Sequence, residues 1–134
     1  NADSLCLLVS YESEAGPLTA LLTGDVEADQ IESMMQSGGT GSSGAPVVNV
    51  LKAGHHGSKA GMTTELAQEL SANIALVSCG ANNRYGHPAQ TTIDALEAAG
   101  TRVFRTDEQG DIACVFSREG IEVRPQHASE VALE

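Results

Sequence analysis

Three short segments of this sequence combine residue types that hold cations, polarise water or move protons. The first is Leu21-Leu22-Thr23-Gly24-Asp25. A carboxylate set directly after an apolar strand, with Gly for a tight turn, is held rigidly enough to ligate or bridge metal ions. Gly-Asp also ends many strands simply because turns favour the pair. The second segment, LKAGHHGS at 51–58, places His55 and His56 between glycines. Imidazole is a common metal ligand, and its other ring nitrogen needs an acceptor behind it. Adjacent residues of an extended segment point opposite ways. One of the two is therefore expected to ligate, while the other packs or hydrogen-bonds behind it. The third, NNRYGHP at 82–88, joins an amide pair, a cation, a phenol and an imidazole in one loop. That mixture suits holding a phosphate or carboxylate and shuttling a proton. It also suits a loop that leads into a helix, with Pro88 fixing the turn. In the chemical reading, Tyr85 and His87 are the catalytic candidates, and Ser58, Asn83 and Arg84 are the substrate contacts. Ser58 beside two histidines is a weak serine-nucleophile candidate, since no acidic partner is placed by spacing.

These segments need a scaffold, and the hydrophobic pattern predicts one. Residues 4–12 and Leu18–Thr23 read as strands joined by the turn-rich ESEAGP, which suggests a hairpin. Glu27–Gln36 reads as a helix with Ile31, Met34 and Met35 on one face. SGGTGSSGAP at 37–46 has the composition of a flexible loop. Val47–Lys52 and Ile74–Ser78 read as buried strands, and 63–72 and 91–99 as helices. Thr63 or Thr64 is available to cap the first of these helices, and Gly100 to close the second. RVFRT, DIACVF and IEVRP read as three short strands separated by DEQG and SREG turns. The tail beyond Pro125 shows no partner. Strand–helix alternation after an opening hairpin predicts a layered α/β domain. The working loops of such sheets lie past the carboxyl ends of the strands. Asp25, the two histidines and the 83–87 loop are all predicted at such ends.

Composition narrows the options. The chain has 134 residues, enough for one domain, and aromatics are only 3% of it, so Val, Leu, Ile and Ala must build the core. A net charge of −11 argues against a simple phosphate-gripping surface. It argues less against a site where bound divalent cations supply the positive charge. Cys6, Cys79 and Cys114 have no CxxC spacing and sit in apolar runs, so buried free thiols are expected rather than disulfides or a zinc knot. No apolar run approaches the ~20 residues that a membrane helix needs. The opening NADSLCLLVSYE does not read as a signal peptide.

The order LLTGD, LKAGHHGS, SCGANNRYGHP, a helix and RVFRTDEQGDI resembles the C-terminal metallo-β-lactamase-like domain of the ComEC family of DNA-uptake competence proteins. The opening N-x-x-S-L is similar as well, and the resemblance runs from Asn1 to about Phe116. It implies an αββα sandwich with a dinuclear metal site along one edge. Residues 1–125 would form the C-terminal half of that domain, and 126–134 a tail. By the resemblance Asp25 matches a metal-bridging aspartate and His56 a ligand with His55 behind it. Asn83, Tyr85 and His87 match a loop that faces substrate. The implied cofactor is a divalent metal, zinc or manganese, and the implied activity is metal-dependent phosphodiester hydrolysis of DNA. The implied location is a soluble domain of a bacterial inner-membrane channel protein, with the side of the membrane left open and the extracytoplasmic side favoured.

The family's first metal motif, of the H-x-H/D-x-D-H type, does not occur here. Two or three ligands from one half should bind metal weakly or not at all. The expected partners are therefore the other half of the domain, the membrane channel of the parent protein and DNA. Unpartnered apolar strands also suggest a homo-oligomer. Two alternatives remain open at this stage: a non-catalytic module of the uptake channel, and a metallohydrolase of small esters or phosphoesters.

Overall fold

The computed structural model describes residues 3–36 and 47–127. The loop expected at 37–46 and most of the expected tail lie outside the described residues. Strand β1 (Leu7–Ser13) and strand β2 (Gly16–Leu22) form an antiparallel hairpin in which Ser13 faces Gly16. The expected six-residue link therefore shrinks to Glu14-Ala15. Helix α1 (Ala28–Gln36) follows, then β3 (Val50–Lys52), α2 (Thr64–Leu70), β4 (Ile74–Val77), α3 (Gln90–Ala98) and β5 (Arg102–Arg105). The five strands form one sheet in the order β1-β2-β3-β4-β5, and β2 to β5 run parallel.

Strand β3 begins three residues later than the pattern predicts, and Asn49 explains the shift. Its Oδ1 accepts from the Thr19 amide at 2.8 Å, and its Nδ2 donates to Asn73 Oδ1 at 3.0 Å. Its carbonyl accepts from the amides of Asn73 and Ile74. Asn49 thus splices the middle of β2 to the amino ends of β3 and β4, where the apolar periodicity read a continuous strand.

The core follows from period-2 alternation meeting helical stripes. Leu21, Leu51 and Ala75 form one cross-strand row, and all three are buried. Ile31 and Met35 of α1, Leu66 and Leu70 of α2, and Leu96 of α3 join them in a single apolar cluster. Met34 packs at its margin. Burial of each large aliphatic side chain contributes roughly 1.5–3 kcal/mol. Thr63 caps α2 by accepting from the Leu66 amide at 3.1 Å, and Gly100 takes a positive φ just after α3.

The next-row residues Leu7 and Leu22 are 48% and 38% exposed, and Leu5 and Val9 are 76% and 45% exposed. Strand β1 has β2 as its only sheet neighbour among the described residues. No described helix is long and apolar enough to cross a membrane.

Three sequence expectations need correction. The DEQG turn is part of a one-turn helix, α4 (Thr106–Gln109), whose buried Gln109 accepts from the Arg105 amide. Four residues are too few to display a helical period. The tail does find partners at its start: the Gln126 amide donates to Asp111 O and the His127 amide to Gln109 O. The cysteines are free, as expected, but all three are only partly buried. Strands β6 (Ile112–Ser117) and β7 (Gly120–Pro125) pair as a separate hairpin, and Phe116 meets Tyr11 edge-on.

Candidate functional site

Because β2 to β5 are parallel, their carboxyl ends share one edge, and the chemistry-bearing loops leave from it. Past β2, Thr23 is fully buried and its hydroxyl donates to Lys52 O at 2.7 Å. Asp25 is placed by its own amide, which donates to Ser4 Oγ at 3.2 Å. The His55 amide donates to Gly24 O at 3.0 Å, which ties the carboxylate loop to the histidine loop.

The histidines are not on an extended segment. His55 (φ 48°, ψ 48°) and His56 (φ 58°, ψ 26°) are both left-handed. Each such conformation costs a non-Gly residue about 1–2 kcal/mol, and strain of this kind clusters at functional sites. The flanking packing enforces it. A Cβ on Gly54 would lie 2.4 Å from Val26 O, and one on Gly57 would lie 2.7 Å from Pro88 Cβ. The turn nevertheless gives the two rings different surroundings. His56 Nδ1 is 2.8 Å from the Ser78 carbonyl, which can only accept, so the proton sits on Nδ1. Nε2 is then the lone-pair nitrogen, 3.6 Å from Asp25 Oδ1. His55 Nδ1 lies 3.9 Å from Glu27 Oε1.

The 80–88 loop completes the cluster. The His87 ring is 6.4 Å from His56 and nearly parallel to it, at 16°. It is also 5.7 Å from His55 and 5.8 Å from Tyr85. Asp25, His55, His56, Tyr85 and His87 therefore gather at one edge. Arg84 is exposed on the same loop. Two expected substrate contacts sit differently. Ser58 is only 7% exposed, and its hydroxyl has no hydrogen-bond partner among the described residues. Its burial argues against substrate contact. The Asn83 side chain is committed to hydrogen bonds within its own loop.

Sequence reasoning missed Ser4, Glu27 and the Ser78 carbonyl. Glu27 lies two residues past Asp25 and could have been weighed with it. Ser4 is distant in sequence, and a backbone acceptor leaves no residue signature. Lys52, at the end of β3, is another missed group near Asp25. Burial pulls its amine below the usual lysine range, while the Asp25 charge acts the other way. Cys79, just past β4, is a poor nucleophile. Burial, then the Asp107 charge, push its thiol up to about 11.

The implied divalent metal can be tested against these donors. Two ligands at ~2.05 Å from a tetrahedral ion lie about 3.3 Å apart. The 3.6 Å between His56 Nε2 and Asp25 Oδ1 matches a shared cation and is long for a hydrogen bond. The Ser78 carbonyl is the acceptor that a ligating imidazole requires. However, no group of three or more His, Cys, Asp or Glu is arranged to hold a metal among the described residues. The edge thus presents a donor pair that fits a metal, and not a closed site.

Burial, then the neighbouring His55 and His56 charges, hold His87 below the ordinary imidazole range. A histidine with a depressed folded pKa supports the native state above its unfolded value near 6.5. It withdraws that support as pH falls through the lower folded value. An NMR titration is expected to place His87 below about 6.5. In His55→Ala its midpoint is expected to rise yet stay depressed, because burial is the larger cause. A wild-type midpoint at or above the ordinary value would show that the ring does not pack as described.

Comparison with known proteins follows the same motifs. The chain is 39% identical over 101 residues to ComE operon protein 3 of Bacillus subtilis, covering 74% of the chain and 12% of that protein. It is 30% identical over 110 residues to competence protein ComA of Neisseria gonorrhoeae, covering 82% of the chain and 15% of that protein. It is 27% identical over 124 residues to recombination protein 2 of Haemophilus influenzae, covering 92% of the chain and 14% of that protein. No protein-family model matches the sequence, and no solved structure matches it. The chain therefore spans only a small part of these relatives' length. It is homologous, over most of its own length, to one segment of proteins named for competence and recombination.

Proposed function

We propose that this chain is the C-terminal half of a metallo-β-lactamase-like αββα domain in a DNA-uptake competence protein, and that the intact domain is a metal-dependent phosphodiesterase acting on DNA. The observation that carries the reading is the Asp25–His56 pair, 3.6 Å apart at the carboxyl edge of the sheet, with His56 oriented by Ser78 O. The two side chains are 48% and 50% exposed, open to a metal and to ligands from outside the chain. The relatives' names support the competence context.

When bound, a divalent cation supplies Lewis-acid activation of water and of a phosphoryl oxygen. This chain's residues would do the rest. Asp25 and His56 would hold the cation, with His55 beside Glu27 behind them. His87 is kept largely neutral at physiological pH, so it can accept a proton, and Tyr85 lies against it. Arg84 offers an exposed guanidinium to a phosphodiester. The net charge of −11 opposes polyanion approach, so DNA must be delivered to this edge by other parts of the protein.

The test is a nuclease assay on the full-length protein with manganese or zinc, and with chelator. Metal-dependent cleavage of DNA that chelator abolishes is the expected result, with small esters left intact. A second reading, a non-catalytic module of the uptake channel, draws on the lack of a closed donor set among the described residues. Full-length protein that binds DNA without cleaving it under any metal would favour that module. Cleavage of small esters but not DNA would favour a metallohydrolase of small esters or phosphoesters.

A further inference from the structure

We infer that Asn83 is a positioning residue, whose amide fixes the near end of the loop that presents His87 and Tyr85 to the Asp25–His56 pair. The role rests on the hydrolase reading above, but the geometry does not. All four hydrogen-bonding capacities of this one amide are used. Oδ1 accepts from the Tyr85 amide at 3.1 Å and from the His87 amide at 3.0 Å. Nδ2 donates to Gly80 O at 2.9 Å and to His87 O at 2.6 Å. The orientation is unambiguous, since the first two partners are N–H groups and the last two are carbonyls.

The consequence is local and directional. His87 is gripped at both its amide and its carbonyl, so its backbone cannot rotate independently of Asn83. The loop's far end is tied separately to the histidine turn, because the Ala89 amide donates to Gly57 O at 2.9 Å. His87 is thus held between two fixed points, its ring nearly parallel to His56 on one side and 29° from the plane of Tyr85 on the other. Tyr85 is 74% exposed, so burial of its ring does little to hold the tip of the loop in place of the amide. Among the natural side chains of this size only asparagine supplies two acceptor sites and two donors. Aspartate matches its shape but would set a carboxylate against two carbonyl oxygens.

The experiment reads ring geometry rather than turnover. In the wild-type chain, NMR cross-peaks are expected between the His87 and Tyr85 rings and between the His87 and His56 rings. Both Asn83→Ala and Asn83→Asp are expected to lose them while the amide signals of β3, β4 and α3 stay in place. In the full-length protein the same variants are expected to lower kcat by about 10–100-fold with metal affinity unchanged, as for a misplaced reacting group. Cross-peaks that persist in either variant would overturn the inference. So would global unfolding of both, which would make Asn83 a general structural residue. Wild-type protein without any turnover would sink the hydrolase reading instead and leave the ring-geometry result to decide the placement.

Discussion

Gly57→Ala is expected to destabilise the chain by about 2–5 kcal/mol, and two independent causes add to that figure. Gly57 has φ +79°, where an L side chain costs about 1–2 kcal/mol. A Cβ there would also meet Pro88 Cβ at 2.7 Å and Val77 Cγ1 at 3.0 Å, and overpacking of that kind costs about 1–3 kcal/mol. Neither neighbour yields easily, since Val77 is fully buried and Pro88 is rigid. Two other glycines separate the causes. Gly100 has φ +85° but nothing within 4 Å of its added Cβ, so alanine there should cost only the conformational part. Gly80 has neither problem, and its alanine variant should lie within about 0.5 kcal/mol of wild type. Thermal unfolding is expected to rank the variants Gly80→Ala, Gly100→Ala, Gly57→Ala in increasing loss, the last by roughly 10 °C. If Gly57→Ala melts with Gly80→Ala, the packed left-handed turn does not exist as described.

That turn also marks where the sequence stopped being legible. The alternation of strands and helices placed Asp25, His56 and His87 past strand ends correctly, because buried β-runs and amphipathic stripes are local patterns. The conformation of His55 and His56 is not local. It depends on Gly54 fitting against Val26 O and Gly57 against Pro88, contacts between segments far apart in the chain. The extended-segment argument for splitting the two rings' roles therefore loses its geometric premise, and the Ser78 hydrogen bond to His56 is what distinguishes the rings instead. Asn83 was legible as a polar residue in the right loop, but not as one whose amide turns inward, since composition does not show which way a side chain bonds. Ser58 shows the opposite failure. A hydroxyl beside two histidines looks reactive in sequence, yet α3 folds over its backbone, with the Thr92 hydroxyl donating to Ser58 O at 2.8 Å. The Ser4 hydroxyl that steadies Asp25 comes from a residue with no motif around it.

The largest functional effect is expected from His56→Ala and Asp25→Ala in the full-length protein, each lowering metal-dependent cleavage by more than about 100-fold. That figure is the upper end of what outer-shell partners of a metal cost, and the proposed hydrolase reading makes these two residues direct donors. Their pairing at 3.6 Å predicts that neither substitutes for the other, so the double variant should be little worse than either single one. His55→Ala is the informative contrast. Its ring lies beside Glu27 and not Asp25, so its loss should cost only about 10–100-fold through the orientation of the cluster. Calorimetric titration with zinc or manganese checks the same ranking without turnover. Affinity should collapse in the Asp25 and His56 variants and weaken modestly in His55→Ala. The decisive comparison is therefore between two adjacent histidines. If His55→Ala loses metal while His56→Ala keeps it, the Ser78 hydrogen bond marks a structural ring rather than a ligand, and the donor pair drawn from Asp25 and His56 is wrong.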